Sequence, residues 1–215
     1  MGIGSAAMRK FRRKYYDVFS KFYDRFIALH ATDRQGVLRN VLAEETGANP
    51  GDRVLDICTG TGATLASLAG RVAETGLVVG LDFSSGMLKA ARGKTRGDAN
   101  VCIVQADCAR LPFKTGTFAA VTCSHAFYEL RGQTQADTLE EIKRCLKPEK
   151  PFLMMEHEVP ENRLVRLLFY IRMMSMGRDR AIQVLKHEKA FLKRHFDHVR
   201  RSVTMTGKSK LYICN

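Results

Sequence analysis

Two glycines and two aspartates are the residues whose types and spacing first indicate chemistry. Gly60 and Gly62 lie between an apolar segment typical of a strand and a segment typical of a helix. Glycines at such a turn let the backbone pass close beneath a ligand, and the helix behind them presents free N–H groups. Asp82 closes the next predicted strand, where a carboxylate accepts hydrogen bonds from both hydroxyls of a ribose. Asp107 follows the third predicted strand, which suits an acceptor for the exocyclic amine of adenine.

Two common phosphate-binding patterns do not fit this sequence. The dinucleotide fingerprint requires a small residue three positions after Gly62, and Leu65 occupies that position. The segment Gly207-Lys208-Ser209 resembles the end of a P-loop, but Ser202 stands where the first glycine of that motif is required. The glycine turn therefore predicts a seat for a nucleoside, without a signal for a bound pyrophosphate.

Short apolar segments alternate with helical ones between residues 53 and 157, and this order predicts an α/β fold. The expected strands are residues 53–58, 77–82, 101–105, 118–123 and 151–156, and the expected helices are residues 63–74, 84–94 and 134–146. Strands and helices that alternate in this way form crossover units on a parallel sheet. Ligands bind at the carboxyl edge of such a sheet, so the glycine turn and both aspartates are expected at one edge.

The two flanks differ from this central region. Residues 6–42 have a helical pattern, with aromatic side chains recurring every three or four residues. Residues 163–176 and 180–193 are expected to form two more helices, and residues 199–214 a hairpin with its turn near Gly207. No repeat, low-complexity segment or linker divides the chain, which indicates one domain with helical additions.

Composition indicates a soluble globular chain. The 215 residues are 45% hydrophobic and 27% charged, which excludes a disordered tail, a fibre and a membrane-spanning protein. The apolar segment 164–176 is interrupted by Arg166 and Arg172 and is too short to cross about 30 Å of hydrocarbon. Six scattered cysteines show no C-x-x-C pair and no histidine at zinc spacing, so we expect reduced thiols and no metal site. The N-terminus lacks the pattern of a secretory leader, so we expect a cytoplasmic location.

The net charge of +13 is concentrated in the flanks. Residues 1–34 contain 8 Lys and Arg against 3 Asp and Glu, and residues 161–215 contain 13 against 4. Residues 35–160 are nearly neutral, with 14 against 15. This distribution favours a negatively charged partner at the flanks, whether phospholipid head group, nucleic acid or acidic protein. A generally basic, solvated surface is the alternative.

Three ordered motifs resemble those of the class I S-adenosylmethionine-dependent methyltransferases. Residues 54–62 resemble the apolar-apolar-acidic run that ends in G-x-G-x-G, with Cys58 in place of the first glycine. Residues 80–88 are close to the D-x-S-x-x-M-L form of the ubiquinone/menaquinone-biosynthesis C-methyltransferases, also described as the methyltransferase type 11 group. Residues 105–113 resemble the adenine-side motif, including its trailing L-P-F. Ala119 departs from the usual F-D-x-V pattern.

The resemblance implies a fold and a cofactor. The fold is a Rossmann-like, doubly wound α/β fold, with a mostly parallel seven-stranded sheet whose antiparallel last strand corresponds to residues 211–214. Residues 1–48 are expected to form an N-terminal helical lid and residues 49–215 the methyltransferase domain. The implied cofactor is S-adenosyl-L-methionine, and its product is S-adenosyl-L-homocysteine.

The resemblance also assigns residues to the methionine and ribose moieties of the cofactor. Asp56, Thr59 and Gly60 are implied to lie near the methionine moiety, and Asp82 at the ribose. Cys58, Gly62 and Ser124 are further expected cofactor contacts.

A second group of candidates is assigned to the nucleoside. Phe83 and Met87 are implied to pack against it, and Asp107 with Cys108 to lie at the adenine. The other expected cofactor contacts are Ala106, Tyr16 and Tyr23. The two tyrosines are seven residues apart and therefore share one face of the predicted helix.

The segment that follows the fourth predicted strand contains two candidates for catalysis. A methyl group on a sulfonium is already activated, so alignment and exclusion of water carry most of the reaction and a dedicated catalytic residue is optional. His125 is the candidate general base because the pKa of histidine lies near neutrality, and Tyr128 is a second candidate. A histidine that only lines the pocket or caps the next helix is the alternative. The apolar segment 164–176 is expected to cover a bulky apolar substrate.

The methyl acceptor remains open at this stage. One hypothesis is a small-molecule or lipid-like acceptor, such as a quinone precursor or a phospholipid head group, with the basic flanks resting on the inner face of an anionic membrane. The second is an RNA methyltransferase whose flanks hold phosphate, with binding that falls steeply with salt. The third is a protein that binds S-adenosylmethionine without catalysis.

Overall fold

Seven strands form one mixed sheet in the computed structural model, which describes residues 13, 15–17, 20, 36–130, 132–159, 161–175, 187–204 and 209–215. The strands are β1 (Arg53–Ile57), β2 (Leu77–Asp82), β3 (Val101–Gln105), β4 (Ala120–Ser124), β5 (Phe152–His157), β6 (Val199–Val203) and β7 (Ser209–Cys214). Their spatial order is β3-β2-β1-β4-β5-β7-β6. Strands β1 to β5 are parallel, and β7 runs antiparallel to both β5 and β6.

Helices separate the parallel strands except β3 and β4, which are joined by the non-helical residues 106–119. They are α1 (Val37–Glu45), α2 (Leu65–Val72), α3 (Ser85–Lys94), α4 (Gln133–Cys145) and α5 (Arg163–Ser175), with a 3₁₀ turn at Phe127–Glu129. Residues 187–192 are also helical. The predicted Rossmann-like α/β fold with an antiparallel last strand is therefore confirmed.

The central strands β1, β2, β4 and β5 are buried on both faces, which explains why their sequences are mostly apolar rather than alternating. On one face, Val54 and Val78 share a core with Leu42 of α1 and Leu65 of α2. On the other face, residues of β1, β4 and β5 share a core with α4 and the helical residues 187–192. The carboxyl ends of β1 to β5 consequently meet at one edge, between two layers of helices.

Most predicted boundaries agree with the observed elements, and two differences have a local cause. The helix predicted from residue 63 begins at Leu65, because residues 59–64 form turns around Gly62. The strand predicted from residue 118 begins at Ala120, because Phe118 instead forms an isolated parallel bridge with Leu146. Much of the predicted helical segments 6–42 and 180–193, and the turn at Gly207, lie outside the described residues.

The apolar segment after β5 forms the predicted helix, α5, but it does not bury its leucines. Leu164, Leu167 and Leu168 are 66%, 54% and 58% exposed. These side chains therefore do not cover a pocket in the described structure. Among the described residues, no helix combines the length and hydrophobicity needed to cross a membrane.

Candidate functional site

The turn after β1 contains three residues with left-handed backbone. Cys58, Gly60 and Gly62 have φ angles of 52°, 55° and 75°. A Cβ atom on Gly60 would meet no other atom within 4 Å, so open space lies beside this residue. A Cβ atom on Gly62 would lie 3.0 Å from both Ala91 and Leu65. Gly60 thus leaves room for a ligand, whereas Gly62 allows the turn to pack closely against Ala91 of α3 and Leu65 of α2.

Asp82 ties the end of β2 to this turn. Its Oδ2 accepts a hydrogen bond from the Gly60 N–H at 2.9 Å, and its Oδ1 accepts one from the Ser84 N–H at 2.9 Å. Burial raises the pKa of Asp82, backbone N–H donors oppose the rise, and the charge of Glu129 adds to it. A single carboxylate therefore fixes the position of the turn beside the open space at Gly60.

Asp56 supports the turn from inside the protein. The hydroxyls of Thr59 and Thr122 donate hydrogen bonds to its two carboxylate oxygens at 2.6 and 2.7 Å. Burial, with a contribution from the charge of Asp82, raises the pKa of Asp56 to about 6 even though both hydroxyls lower it. Asp56 links the turn after β1 to β4, and its charge is only partly compensated.

The carboxylates around the turn fit a cationic ligand. Asp56, Asp82 and Glu129 are close enough for the charge of Asp82 to raise the pKa of Asp56 and for that of Glu129 to raise the pKa of Asp82. An opposite charge brought among such groups relieves their repulsion. The sulfonium and ammonium groups of S-adenosylmethionine supply that charge, so the acids and the open space at Gly60 fit this cofactor.

The expected adenine side lies next to the turn. The thiol of Cys58 is hydrogen-bonded with those of Cys108 and Cys123, which brings the loop after β3 against the end of β1. The hydrogen bond with Cys58 and burial raise the pKa of Cys108 well above its usual value. Asp107, beside half-buried Ala106, accepts a hydrogen bond from the Ala109 N–H at 3.0 Å through Oδ1.

Two adjacent residues near the N-terminus connect opposite sides of the site. The hydroxyl of Tyr16 donates a hydrogen bond to Glu129, which follows β4. The Oδ1 of Asp17 accepts hydrogen bonds from the Ser84 hydroxyl at 2.7 Å and the Gly86 N–H at 2.8 Å, at the start of α3. The Tyr16–Asp17 pair therefore spans from the end of β4 to the end of β2.

Phe83 and Met87, the expected nucleoside contacts, lie next to the Tyr16–Asp17 pair. The ring of Phe83 meets that of Tyr16 edge to face at 5.9 Å between centroids. Met87, in the first turn of α3, is 3% exposed, and its N–H donates to the Ser84 hydroxyl. Tyr23, the remaining predicted contact, lies outside the described residues.

His125 lies at the carboxyl end of β4 between two hydroxyls. Its Nδ1 is 3.0 Å from the Ser124 Oγ, and its Nε2 is 3.0 Å from the Ser209 Oγ of β7. Its backbone is left-handed, with φ 52°, and its N–H donates to the Met155 carbonyl at 2.7 Å. The ring of His157 lies 4.6 Å away. The imidazole is therefore held in place at the edge where an acceptor would meet the cofactor.

Tyr128 differs from His125 in its exposure. It is 4% exposed, and its ring centroid is 5.8 Å from that of His157. The Glu156 Oε1 accepts hydrogen bonds from the N–H groups of Phe127 at 2.8 Å and Tyr128 at 3.3 Å. Tyr128 is thus part of a turn whose backbone N–H groups are bound by the buried carboxylate of Glu156.

A buried charged cluster under this turn was not found by sequence reasoning. Glu156 is 0% exposed, and burial together with the charge of Glu188 raises its pKa well above the usual value. Lys210 lies opposite Glu156 on β7, and its ammonium is 2.8 Å from the Glu188 carboxylate. The available signal in the sequence was a single acid, Glu156, near the end of the apolar strand β5. Its partners depend on the pairing of β7, which no motif specifies.

Comparison with known proteins finds similarity to methyltransferases. Residues 54–149 match the family model described as methyltransferase domain. The chain is 32% identical over 158 residues to a 2-phytyl-1,4-naphtoquinone methyltransferase of Nostoc sp., covering 72% of this chain and 68% of that protein. It is also 32% identical over 147 residues to a demethylmenaquinone methyltransferase of Staphylococcus aureus, covering 68% of this chain and 60% of that protein.

Solved structures show the same fold. A SAM-dependent methyltransferase from Aquifex aeolicus matches with a TM-score of 0.62 and 21% identity, covering 92% of this chain and 97% of that one. At 21% identity, this similarity shows a shared arrangement of strands and helices and nothing beyond the fold.

Proposed function

Because the chain belongs to the class I S-adenosylmethionine-dependent methyltransferases, we propose that it methylates a quinone-type small molecule with an apolar tail. The observation that carries this proposal is the 32% identity over 158 residues to a 2-phytyl-1,4-naphtoquinone methyltransferase. The demethylmenaquinone methyltransferase of Staphylococcus aureus, also 32% identical, supports the same class of acceptor.

Residues around the glycine turn bind the cofactor in this proposal. S-Adenosylmethionine supplies an activated methyl group on its sulfonium. Asp82 binds the ribose, Asp107 and Cys108 lie at the adenine, and Phe83 packs against the nucleoside. The buried position of Asp82 and the open space beside Gly60 support this assignment. The chain's main contribution is to align the acceptor in line with the S–CH3 bond and to exclude water.

Within the expected lid of residues 1–48, the part that includes Tyr16 and Asp17 covers the cofactor site, whereas α1 packs in the core of the methyltransferase domain. The hydrogen bonds of Tyr16 to Glu129 and of Asp17 to Gly86 support this role, because they join both sides of the cleft. The basic flanks keep the protein at the cytoplasmic face of an anionic membrane, where a quinone with an apolar tail is found. The 13 Lys and Arg against 4 Asp and Glu in residues 161–215 support that location.

The acceptor is tested with methyl-labelled S-adenosylmethionine and the purified chain. We expect label in a demethylated naphthoquinone that is dispersed in detergent and kept reduced with dithionite, because the hydroquinone ring carbon is nucleophilic and loses a proton when the methyl group is transferred, and we expect none in RNA incubated in parallel. Label that enters RNA, with binding that falls steeply as salt rises, would instead support the RNA methyltransferase hypothesis. If no label enters the naphthoquinone under conditions where the protein binds S-adenosylmethionine, the proposed acceptor is wrong.

His125 accepts the acceptor's proton, directly or through the hydroxyl of Ser124 or Ser209. We expect His125→Asn to slow methyl transfer by about 100-fold or more, the usual contribution of a general base, with unchanged S-adenosylmethionine affinity. Asparagine suits this test because it tolerates the left-handed backbone that His125 adopts. Single-turnover rates and calorimetric titration give the two readouts.

His195→Asn is the matched control for that variant. His195 pairs with Glu140 on the surface, away from the carboxyl edge of the sheet. Its replacement should leave the transfer rate unchanged. A His125→Asn protein that turns over at the full rate would exclude His125 as a base and leave it as a pocket residue.

A further inference from the structure

Helix α5 has an exposed apolar stripe next to the site. Leu164, Leu167 and Leu168 lie at spacings of three and four residues, which places them on one side of the helix. They account for three of the six large apolar side chains that are exposed among the described residues. The half-buried residues Phe169 and Tyr170 lie on other sides of α5. The stripe, Leu164/Leu167/Leu168, therefore faces away from the protein.

Helix α5 follows the strand that ends at the candidate active site. β5 ends at His157, at the carboxyl edge of the sheet, and α5 begins at Arg163 after a short connection. His157 contacts the ring of His125 at that same edge. The stripe consequently lies on the element that leaves the active-site edge, and not on the opposite end of the sheet.

The charge of the helix is complementary to an anionic surface. Its 13 residues include three arginines and no acid. Arg163 is exposed next to Leu164 and Leu167, and the segment 161–215 has the strongest excess of basic residues in the chain. An exposed apolar stripe with an arginine beside it, on a helix without acids, is the pattern of helices that lie in a membrane interface.

We propose that the stripe of α5 docks the protein on an anionic phospholipid bilayer, with the leucines in the interface and Arg163 on the head groups. This inference extends the proposed function, since a quinone with an apolar tail is reached from the bilayer. A second copy of the chain is a poorer occupant, because a stable protein interface buries roughly 800 Å² per partner, more than three leucines provide. Shallow insertion of a few apolar side chains, by contrast, suffices for interfacial binding when cations assist it.

The test measures binding of the full chain to vesicles by co-sedimentation, without cofactor or acceptor. Vesicles of phosphatidylcholine with and without phosphatidylglycerol are compared at low and high salt. We expect the triple variant L164S/L167S/L168S to bind the anionic vesicles about tenfold or more weakly than the natural sequence. Val203→Ser is the matched control, because Val203 is 53% exposed on β6, outside the stripe. It should bind as the natural sequence does.

A second variant separates charge from apolar contact. R163Q should weaken binding to the anionic vesicles severalfold and reduce its salt dependence, with little effect on neutral vesicles. Circular dichroism establishes that each variant is folded. Methyl transfer to a detergent-dispersed acceptor should persist in the leucine triple variant, so loss of docking is distinguished from failure of the proposed acceptor.

Three results would overturn the proposal. The triple variant could bind anionic vesicles as tightly as the natural sequence, or Val203→Ser could lose binding to the same extent. Sedimentation equilibrium could also show a dimer of the natural sequence that the triple variant abolishes, in which case the stripe is an interface between two copies.

Discussion

Cys58 shows how a glycine position in the cofactor turn can be replaced. Its φ of 52° is a conformation that disfavours an L side chain by about 1 to 2 kcal/mol. Hydrogen bonds of its thiol with Cys108 and Cys123, and packing against the core, offset that cost. The turn therefore keeps the shape that a glycine would allow, and it gains a contact with the loop after β3.

The buried carboxyl of Asp56 links stability to pH. Burial raises its pKa to about 6 from a reference of 3.8, so its contribution to stability is complete below the reference value and is lost as the pH rises through about 6. Asparagine stays neutral and can still hydrogen-bond with Thr59 and Thr122. The unfolding free energy of Asp56→Asn should rise relative to that of the natural sequence by about 2 to 3 kcal/mol when the pH is raised from about 4 to about 8.

Urea unfolding of both proteins at those two pH values checks this prediction. Asp137→Asn, which changes an exposed carboxylate on α4, measures the effect of the amide exchange alone. An Asp56→Asn protein whose advantage over the natural sequence is the same at both pH values would contradict the assignment of a buried, partly compensated charge. We also expect weaker binding of S-adenosylmethionine, because the variant removes a negative charge from the site.

Some candidate residues could be found from the sequence because they close strands. Asp82 ends β2 and Asp107 follows β3, and the carboxyl ends of parallel strands share an edge. Ser209 and Glu188 could not be found in this way. Ser209 reaches His125 only because β7 pairs antiparallel with β5, and Glu188 meets Lys210 for the same reason. Their roles depend on tertiary pairing that local patterns do not contain.

At the scale of elements, contact between the N-terminal segment and α3 requires a glycine. A Cβ atom on Gly86 would lie 2.6 Å from the Asp17 carbonyl oxygen and 2.7 Å from its Cα. These are backbone atoms and cannot rotate away. The Tyr16–Asp17 pair can therefore approach the start of α3 only while residue 86 has no side chain.

Gly86→Ala is expected to displace this contact without weakening α3. Alanine in a helix is ordinarily more stable than glycine by roughly 0.5 to 1 kcal/mol, so the helix itself should tolerate the change. Loss of the Asp17 hydrogen bonds should weaken S-adenosylmethionine binding by about tenfold, as expected for 1 to 2 kcal/mol. Calorimetric titration measures the affinity, and thermal unfolding measures the stability.

Gly93→Ala provides the control in the same helix. A Cβ atom on Gly93 would meet nothing within 4 Å, so this change alters helix propensity without a clash. It should leave the affinity unchanged. Equal affinities for both alanine variants would show that the N-terminal segment does not close the cofactor site.

The boundaries of strands and helices were predictable where the apolar strand pattern is uninterrupted. They were less predictable where tertiary contacts between side chains decide where an element begins. The predicted limits of β2 and β3 agree with the structure. From the sequence, Leu65 indicated only that the small residue required by the dinucleotide fingerprint is missing. In the structure, the Leu65 side chain fills the space left by Gly62 and Gly80, so α2 packs closely on the sheet because these two positions are glycines. A fingerprint that covers one segment of the chain does not contain this contact with Gly80 on β2.

For the whole molecule, the α/β class follows from the order of segments, whereas the position of the last strand does not. The alternation of residues 53–157 suffices to predict a parallel sheet. Strand β7, however, inserts between β5 and β6 rather than adding at the edge. A hairpin pattern in the sequence is compatible with β7 at the edge of the sheet or between β5 and β6. The positions of Ser209 and Lys210 therefore could not be predicted from the sequence.

Docking through the exposed leucines of α5, as proposed above, would also determine which concentration sets the rate of methyl transfer. A protein held on a lipid surface meets its acceptor by diffusion in two dimensions, so turnover of the proposed quinone would follow its mole fraction in the bilayer rather than its amount per volume of water. Cells that enlarge their membrane at constant quinone content would thereby slow this reaction, and a shrinking membrane would accelerate it.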